Sequence, residues 1–419
     1  MTITIKEVTN RRLLREFVNF PFKLYRDNPC WVPTLRSDDL NTLRKDKNPA
    51  FAFCQAKYWL AYKDGKIAGR IAGIINPRYQ ERWGNAYARF GWIDFINDDQ
   101  VSQSLLSKVE EWAQEQGMQA VHGPLGFTDM DPEAMLVEGF DEMGTLIGIY
   151  NYPYYQTHLE KAGYVKDTDW IEFEIKVPAG GVEKIKKLAE IVEERYHLHY
   201  LNAKNKKELL QYAQQLFELL EEAYQDLYGV TPLSQEQINT YIDQYLGLLS
   251  PEFIPIVLDE SNKMVAFGIA MPSLSQALRK SRGRLFPFGF LHLLHALHKN
   301  NKGDLCLIAI RKDFQGKGIN SMLMTSLLDV FAKMGITSVE SNPELEDISK
   351  PGSTNAAGSS SKRWKNSKFH EHNPAANQKM EPGADHSIFW NLIKNGRLFQ
   401  SNCCIAILSG ISFSTGTIY

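Results

Sequence analysis

The sequence has few cysteines, no long apolar run and almost no net charge. Its five cysteines (Cys30, Cys54, Cys306, Cys403 and Cys404) show neither metal-ligand spacing nor a disulfide framework. No apolar run approaches membrane-spanning length, and residues 1–8 alternate like an opening strand rather than like a signal peptide. The net charge of −2 gives no overall attraction to nucleic acid or to an anionic membrane. We therefore expect a reduced, cytoplasmic protein that binds neither.

Length and composition indicate a globular protein with more than one domain. The chain has 419 residues, of which 43% are hydrophobic and 23% are charged. These proportions are typical of a protein with a sizeable core, and the length is comfortable for two domains.

One glycine-bearing stretch follows a predicted buried strand and opens a predicted helix. Residues 305–310 are a continuous apolar run, and apolar residues recur at helical spacing from 322 to 331. The N-terminus of a helix favours an anion, and Gly316 and Gly318 would let the backbone approach it closely. The alternative is a tight strand-to-helix turn without a ligand. A P-loop nucleotide enzyme fits poorly, because no Gly-Lys-Ser/Thr follows, and the third glycine of a dinucleotide fingerprint is also missing.

The stretch from Gln315 to Asn320 resembles the Arg/Gln-x-x-Gly-x-Gly/Ala signature of the GNAT superfamily of acyl-CoA N-acyltransferases. Gln315, Gly316 and Gly318 match this signature, whereas Asn320 stands where the family has Gly or Ala. The resemblance implies that acetyl-CoA or another acyl-CoA binds here, with its pyrophosphate on the loop amides and its pantetheine arm along the strand. The implied cofactor-binding residues are Ile308, Ala309, Ile310, Gln315, Gly316, Lys317, Gly318, Ile319 and Asn320.

The same order of elements occurs in both halves of the chain. A hairpin is followed by a strand, a helix that ends at a glycine, and another strand, with Gly117 and Gly335 in equivalent places. The sequence therefore predicts an α/β fold (α+β, with a mixed sheet flanked by helices) built from two tandem GNAT-like domains. We assign residues 1–178 to the first domain, 179–347 to the second and 348–419 to an atypical low-complexity tail.

The first copy departs from the family pattern in two places, at the helix start and at the position of the proton donor. Asp98 and Asp99 replace the glycines, and these carboxylates would repel a phosphate, although they suit a helix N-terminus as caps. The family often has a proton-donating tyrosine where Leu159 stands. The first copy is thus not expected to bind coenzyme A in the usual way.

A long connection in the first copy, residues 124–153, leads into a helix that starts with two tyrosines. Long loops in compact domains are often functional. Tyr154 and Tyr155 are therefore candidates for substrate contact, and packing against the core is the alternative.

The basic cluster Arg279, Lys280, Arg282 and Arg284 precedes a helix with three regularly spaced histidines. The arginines and lysine would suit an acidic substrate or the cofactor phosphates, with a solvated face as the alternative. The histidines are interpreted as the polar face of an amphipathic helix, since no carboxylate or cysteine accompanies them.

Two functions remain open. An N-acyltransferase would move an acyl group from acyl-CoA to the amine of a small molecule or peptide, by direct attack and with Glu340 or Glu344 as the base. The alternative is a non-catalytic tandem protein that binds or supports a partner. Beyond residue 347 the helical and strand periodicity disappears, so we expect the closing helix and strands of the second copy to be absent or poorly formed.

Overall fold

The computed structural model describes residues 2–178, 182–243, 249–341 and 343–345, together with the backbone of residues 363–371. Its fourteen strands form one sheet in the order β1-β2-β3-β4-β5-β14-β7-β12-β11-β10-β9-β8, with β13 paired to β7 and β6 paired to β14. The predicted boundary at residue 179 lies outside the described residues.

The first unit supplies seven strands and six helices. Its strands are β1 (Ile3–Glu7), β2 (Gln55–Lys63), β3 (Lys66–Ile75), β4 (Tyr87–Phe95), β5 (Ala120–Gly123), β6 (Met135–Glu138) and β7 (Tyr164–Lys176). Its helices are α1 (Arg11–Asn19), α2 (Pro21–Leu24), α3 (Arg36–Thr42), α4 (Pro77–Trp83), α5 (Asp99–Glu115) and α6 (Tyr154–Lys161). Strands β1 to β4 pair antiparallel, and β4 pairs parallel with β5 across α5.

The second unit repeats this order. Its strands are β8 (His199–Tyr200), β9 (Ile256–Leu258), β10 (Met264–Pro272), β11 (Lys302–Ile310), β12 (Ser338–Ser341) and β13 (Glu344–Leu345). Its helices are α7 (Glu183–Tyr196), α8 (Lys206–Leu210), α9 (Ala213–Tyr224), α10 (Gln235–Tyr241), α11 (Ser275–Ser281), α12 (Gly289–His298) and α13 (Asn320–Met334). Here β11 pairs parallel with β12 across α13, as β4 does with β5.

The two strand-helix-strand units end their helices in the same way. Gly117 and Gly335 both adopt the left-handed conformation, with φ of 75° and 76°. The N–H groups of Met118 and Ile336 then donate to carbonyls five residues earlier, each at 2.9 Å. This shared C-terminal cap supports the internal repeat that the sequence predicts.

Strand β7 joins the two halves of the sheet. It pairs with β12 of the second unit from Glu174 to Lys176 and with β14 along the rest of its length. Strand β14 (Arg363–Glu371) comes from the predicted low-complexity tail and pairs with β5, β6 and β7 of the first unit, so the expectation of absent or poorly formed closing strands in the second copy stays a prediction. Backbone hydrogen bonds form the ladder, and they require no apolar alternation in the sequence. The rest of the tail lies outside the described residues.

Candidate active site

The glycine-bearing loop adopts the backbone that the sequence predicts. Gly316 and Gly318 have φ of 74° and 83°, and α13 begins at Asn320. Among the described residues, the N–H groups of Gly316, Gly318 and Ile319 donate to no other backbone group. These donors at a helix N-terminus are suited to the oxygens of a phosphate.

Side chains hold the loop in place. The Gln315 amide donates to the Ile310 carbonyl at 3.1 Å, which fixes the loop to the end of β11. The Lys317 ammonium lies 4.9 Å from the ring centre of Phe314 and 5.2 Å from that of Tyr196, within cation–π range. Asn320, the departure from the family pattern, has a buried carboxamide oxygen without a hydrogen-bond partner in the described part of the chain.

Strands β11 and β12 separate in the middle of β11. They pair only from Lys302–Ser338 to Leu305–Ser341, and an irregularity in the β10–β11 pairing lies at Cys306. Residues 307–310 therefore have a β10 partner but no β12 partner. A gap between β11 and β12 begins at this point and leads to the glycine-bearing loop.

The predicted cofactor strand faces this gap with its backbone. The side chains of Ile308, Ala309 and Ile310 are buried. The Ile308 carbonyl accepts a hydrogen bond from the Tyr224 hydroxyl at 2.8 Å. Tyr224, at the end of α9, therefore occupies one backbone acceptor of the predicted cofactor strand.

A buried acid lies next to the point of separation. Asp304 is 3% exposed and is opposite Glu340 in the β11–β12 register. Burial raises the pKa of Asp304 to about 7; the Ser273 hydroxyl lowers this pKa, Glu340 raises it and Lys302 lowers it. A carboxyl with a pKa near neutrality is suited to general base chemistry.

The two predicted bases differ in their surroundings. Lys302 lies 3.2 Å from the Glu340 carboxylate and 3.1 Å from that of Glu174, so Glu340 is held in an ion pair. Glu344 lies on β13, opposite Ile171 of β7. The structure thus brings Glu340 and Asp304 together and places Glu344 on a different strand pair.

In the first unit, protein groups fill the equivalent gap between β4 and β5. These strands pair only from Tyr87 to Arg89. Beyond them, the Phe90 carbonyl accepts from the Leu125 N–H at 2.8 Å, and the Phe95 N–H donates to the Tyr155 hydroxyl at 3.0 Å. The Phe95 carbonyl accepts from the Tyr154 hydroxyl at 2.6 Å.

The two predicted substrate tyrosines lie in different environments. Tyr155 is 1% exposed, and its hydroxyl lies 2.8 Å from the Tyr25 hydroxyl. The Tyr25 hydroxyl in turn donates a hydrogen bond to the Asp94 carboxylate. This geometry supports the packing alternative for Tyr155. Tyr154 is half-buried and lines a surface cavity of 370 Å³ together with His158.

The two first-copy positions that depart from the family have structural roles. The Asp98 carboxylate caps α5 by accepting from the N–H groups of Gln100 and Val101, and it pairs with Lys63. Leu159 is fully buried. Sequence reasoning missed Asp304 and Tyr224. Asp304 is an acid directly before the apolar run of residues 305–310, and this position could have drawn attention to it.

Comparisons with known proteins agree with this geometry. Residues 213–347 match the acetyltransferase (GNAT) family. Protein YghO of Escherichia coli (strain K12) is 29% identical over 355 residues, which are 82% of this chain and 88% of that protein. The bacterial ceramide synthase of Caulobacter vibrioides is 24% identical over 358 residues, which are 80% and 88% of the two chains.

Among solved structures, a tandem GNAT protein from the clavulanic acid biosynthesis pathway is 11% identical, with a TM-score of 0.48. The match covers 88% of this chain and 98% of that one. The family match and the ceramide synthase relative support a function of the acyltransferase kind. The GNAT family match lies within the second unit. None of the helices in the described ranges has the length and apolar character needed to cross a bilayer.

Proposed function

We propose that the second unit transfers an acyl group from acyl-CoA to a primary amine. The observation that carries this proposal is the gap between β11 and β12, which leads to a helix N-terminus. There the N–H groups of Gly316, Gly318 and Ile319 have no backbone partner among the described residues. The N–H groups of residues 316–319 would hold the pyrophosphate, and the free edge of residues 306–310 would pair with the pantetheine arm.

Asp304 is the base in this proposal. The amine nitrogen forms a bond to the thioester carbonyl carbon, the carbon–sulfur bond breaks with its electron pair leaving on the coenzyme A thiolate, and the amine proton passes to the Asp304 carboxylate. Burial raises the pKa of the Cys306 thiol, and nearby Asp304 raises it further. Cys306 therefore stays a thiol, in agreement with direct transfer without a covalent enzyme intermediate.

The acceptor is an amine, and the ceramide synthase relative favours an amphiphilic one. A ceramide is the amide of a long-chain amine and a fatty acid. We therefore propose a long-chain amine as the acceptor class. The first unit, whose gap is filled by Leu125, Tyr154 and Tyr155, serves as a non-catalytic support.

Titration calorimetry with acetyl-CoA and a long-chain acyl-CoA tests the cofactor site. The double variant Gly316→Val with Gly318→Val should lose binding, because both residues have positive φ and a Cβ on Gly318 would lie 3.2 Å from Val192. Gly335→Val is the matched control, since it carries the same backbone strain at the opposite end of α13, about 22 Å away. Equal binding by both variants, each shown to be folded, would overturn the proposal.

A further inference from the structure

A group of large apolar side chains is exposed on the second unit. The exposed fractions are 78% for Phe286, 70% for Phe288, 37% for Phe290, 51% for Leu291 and 48% for Leu294. We call these five residues the phenylalanine patch. A contiguous apolar surface of this kind marks a site of interaction on a soluble domain.

The phenylalanine patch lies on a connection that is longer than its equivalent in the first unit. Residues 273–301 connect β10 to β11 and contain α11 and α12, whereas residues 76–86 suffice for the equivalent connection in the first unit. The inner side of α12 is anchored, because Leu293 and Leu297 pack into the core beside α9 and β10. The Gly283 carbonyl accepts from the Arg36 N–H at 3.0 Å. The outer side of α12 is thus exposed on a segment that is anchored to the rest of the fold.

All charged residues of this segment are basic. Residues 273–301 contain no Asp or Glu, although the whole chain has a net charge of −2. The segment has five basic residues: Arg279, Lys280, Arg282, Arg284 and Lys299.

A sixth cation packs against this segment from the first unit. The Arg36 guanidinium donates to the Arg282 carbonyl at 3.2 Å. Its pKa is lowered by burial and then by the neighbouring charges of Arg284 and Arg282. Among the described residues, Arg282 and Arg284 have no carboxylate within ion-pair distance. The cluster is therefore a concentration of positive charge that lacks counter-ions beside an exposed apolar surface.

We propose that the phenylalanine patch and its basic flank dock the protein on an anionic lipid bilayer. Apolar side chains enter the boundary between headgroups and acyl chains while the cations lie at the anionic headgroups. A second copy of the chain fits less well as the partner. In a symmetric dimer, Arg282 and Arg284 of one copy would lie close to the same two arginines of the other copy, and these like charges repel. The docking proposal goes beyond the proposed function and does not rest on it.

This proposal revises the expectation of no membrane contact, which followed from the net charge. Net charge averages over the whole surface, whereas membrane attraction acts within about 10 Å of the charged groups. The segment is also continuous with the proposed site. Leu293 and Leu297 share a core with Cys306 and Leu307, which lie where β11 leaves β12.

Co-sedimentation of the full chain with vesicles tests the proposal. Phosphatidylcholine vesicles containing phosphatidylglycerol should bind the chain at least about tenfold more tightly than pure phosphatidylcholine vesicles, and added salt should reduce the difference. Phe286→Ser with Phe288→Ser should lower the partition by about tenfold or more. Arg282→Gln with Arg284→Gln should remove most of the preference for phosphatidylglycerol.

The matched control is Leu188→Ser with Ile191→Ser. These side chains are 47% and 50% exposed on α7, a helix with several acidic residues, and their loss should leave vesicle binding unchanged. Absence of sedimentation, or equal sedimentation of the wild type and the Phe286/Phe288 variant, would overturn the proposal. A dimer in solution that this variant abolishes would assign the patch to a second copy and overturn it too. Acetyl-CoA binding by the Phe286→Ser, Phe288→Ser variant should stay intact, which separates this test from that of the acyltransferase site.

Discussion

Replacing Asp304 by asparagine should make the protein more stable at neutral pH and less active. The folded pKa of Asp304 is about 7, against an ordinary value of 3.8, because the carboxyl is buried. A difference of about three pKa units corresponds to about 4 kcal/mol of free energy of unfolding. The protonated carboxyl thus contributes stability that is complete below pH 4, falls as the pH rises to about 7, and is absent above it.

The variant should lack this pH dependence. Urea unfolding of Asp304→Asn and of the wild type should give similar free energies near pH 4, and the variant should be more stable by up to about 4 kcal/mol near pH 8. Comparing the two proteins at each pH cancels the contribution of the other carboxyl groups. A variant with the same pH slope as the wild type would refute the assignment of the raised pKa to Asp304.

The activity of the same pair tests the role of Asp304 as a base. In the wild type, the rate of acyl transfer should rise with pH to a plateau above about 7. The rate is measured by the release of the coenzyme A thiol. The Asp304→Asn variant should lose about 10² to 10⁴-fold in kcat while its acyl-CoA affinity is retained. Glu340→Gln should move the wild-type profile to lower pH, because Glu340 raises the pKa of Asp304. If Asp304→Asn keeps its rate while Glu340→Gln or Glu344→Gln abolishes it, the base is a glutamate, as the sequence analysis predicts.

Two further substitutions test the packing of each unit. Asp94→Asn should lower the free energy of unfolding by about 3–5 kcal/mol, measured by urea denaturation, because it breaks the buried ion pair between the Asp94 carboxylate and the Arg70 guanidinium, which lie 2.7 Å apart; a loss below 1 kcal/mol would contradict this. Tyr224→Phe should cost about 1 kcal/mol of stability and leave acyl-CoA affinity equal or higher in calorimetry, because it frees the Ile308 carbonyl. Tenfold weaker binding would instead mean that the hydroxyl contacts the acyl donor.

Local signals made much of the fold predictable. The Asp64-Gly65 pair predicts the hairpin of β2 and β3, and both residues adopt positive φ at its turn. Gly117 and Gly335 mark the ends of α5 and α13, because a left-handed residue terminates a helix. A proline divides residues 11–24 into α1 and α2, since Pro21 starts a new helix and cannot donate to the preceding turn.

Long-range packing determined what the sequence did not show. The adjacent tyrosines at 154 and 155 are equivalent in a sequence pattern, yet one is half-buried beside a cavity and the other is in the core. The raised pKa of Asp304 depends on burial and on Glu340, which is 36 positions away in the chain and adjacent only across the β11–β12 ladder. Contacts of this kind arise from the tertiary structure, so no local pattern predicts them.

The two units show how one fold can keep or lose a ligand site. In each, a parallel pair of strands separates beside the N-terminus of a helix, which leaves backbone groups that need partners. In the first unit the chain supplies the partners itself, with Asp98 at the helix start and the tyrosines of α6 at Phe95. In the second unit Gly316 and Gly318 provide no side chain for this purpose, and their N–H groups have no backbone partner in the described structure. The same backbone requirement is therefore met by side chains in one copy, and in the other it favours an anionic ligand.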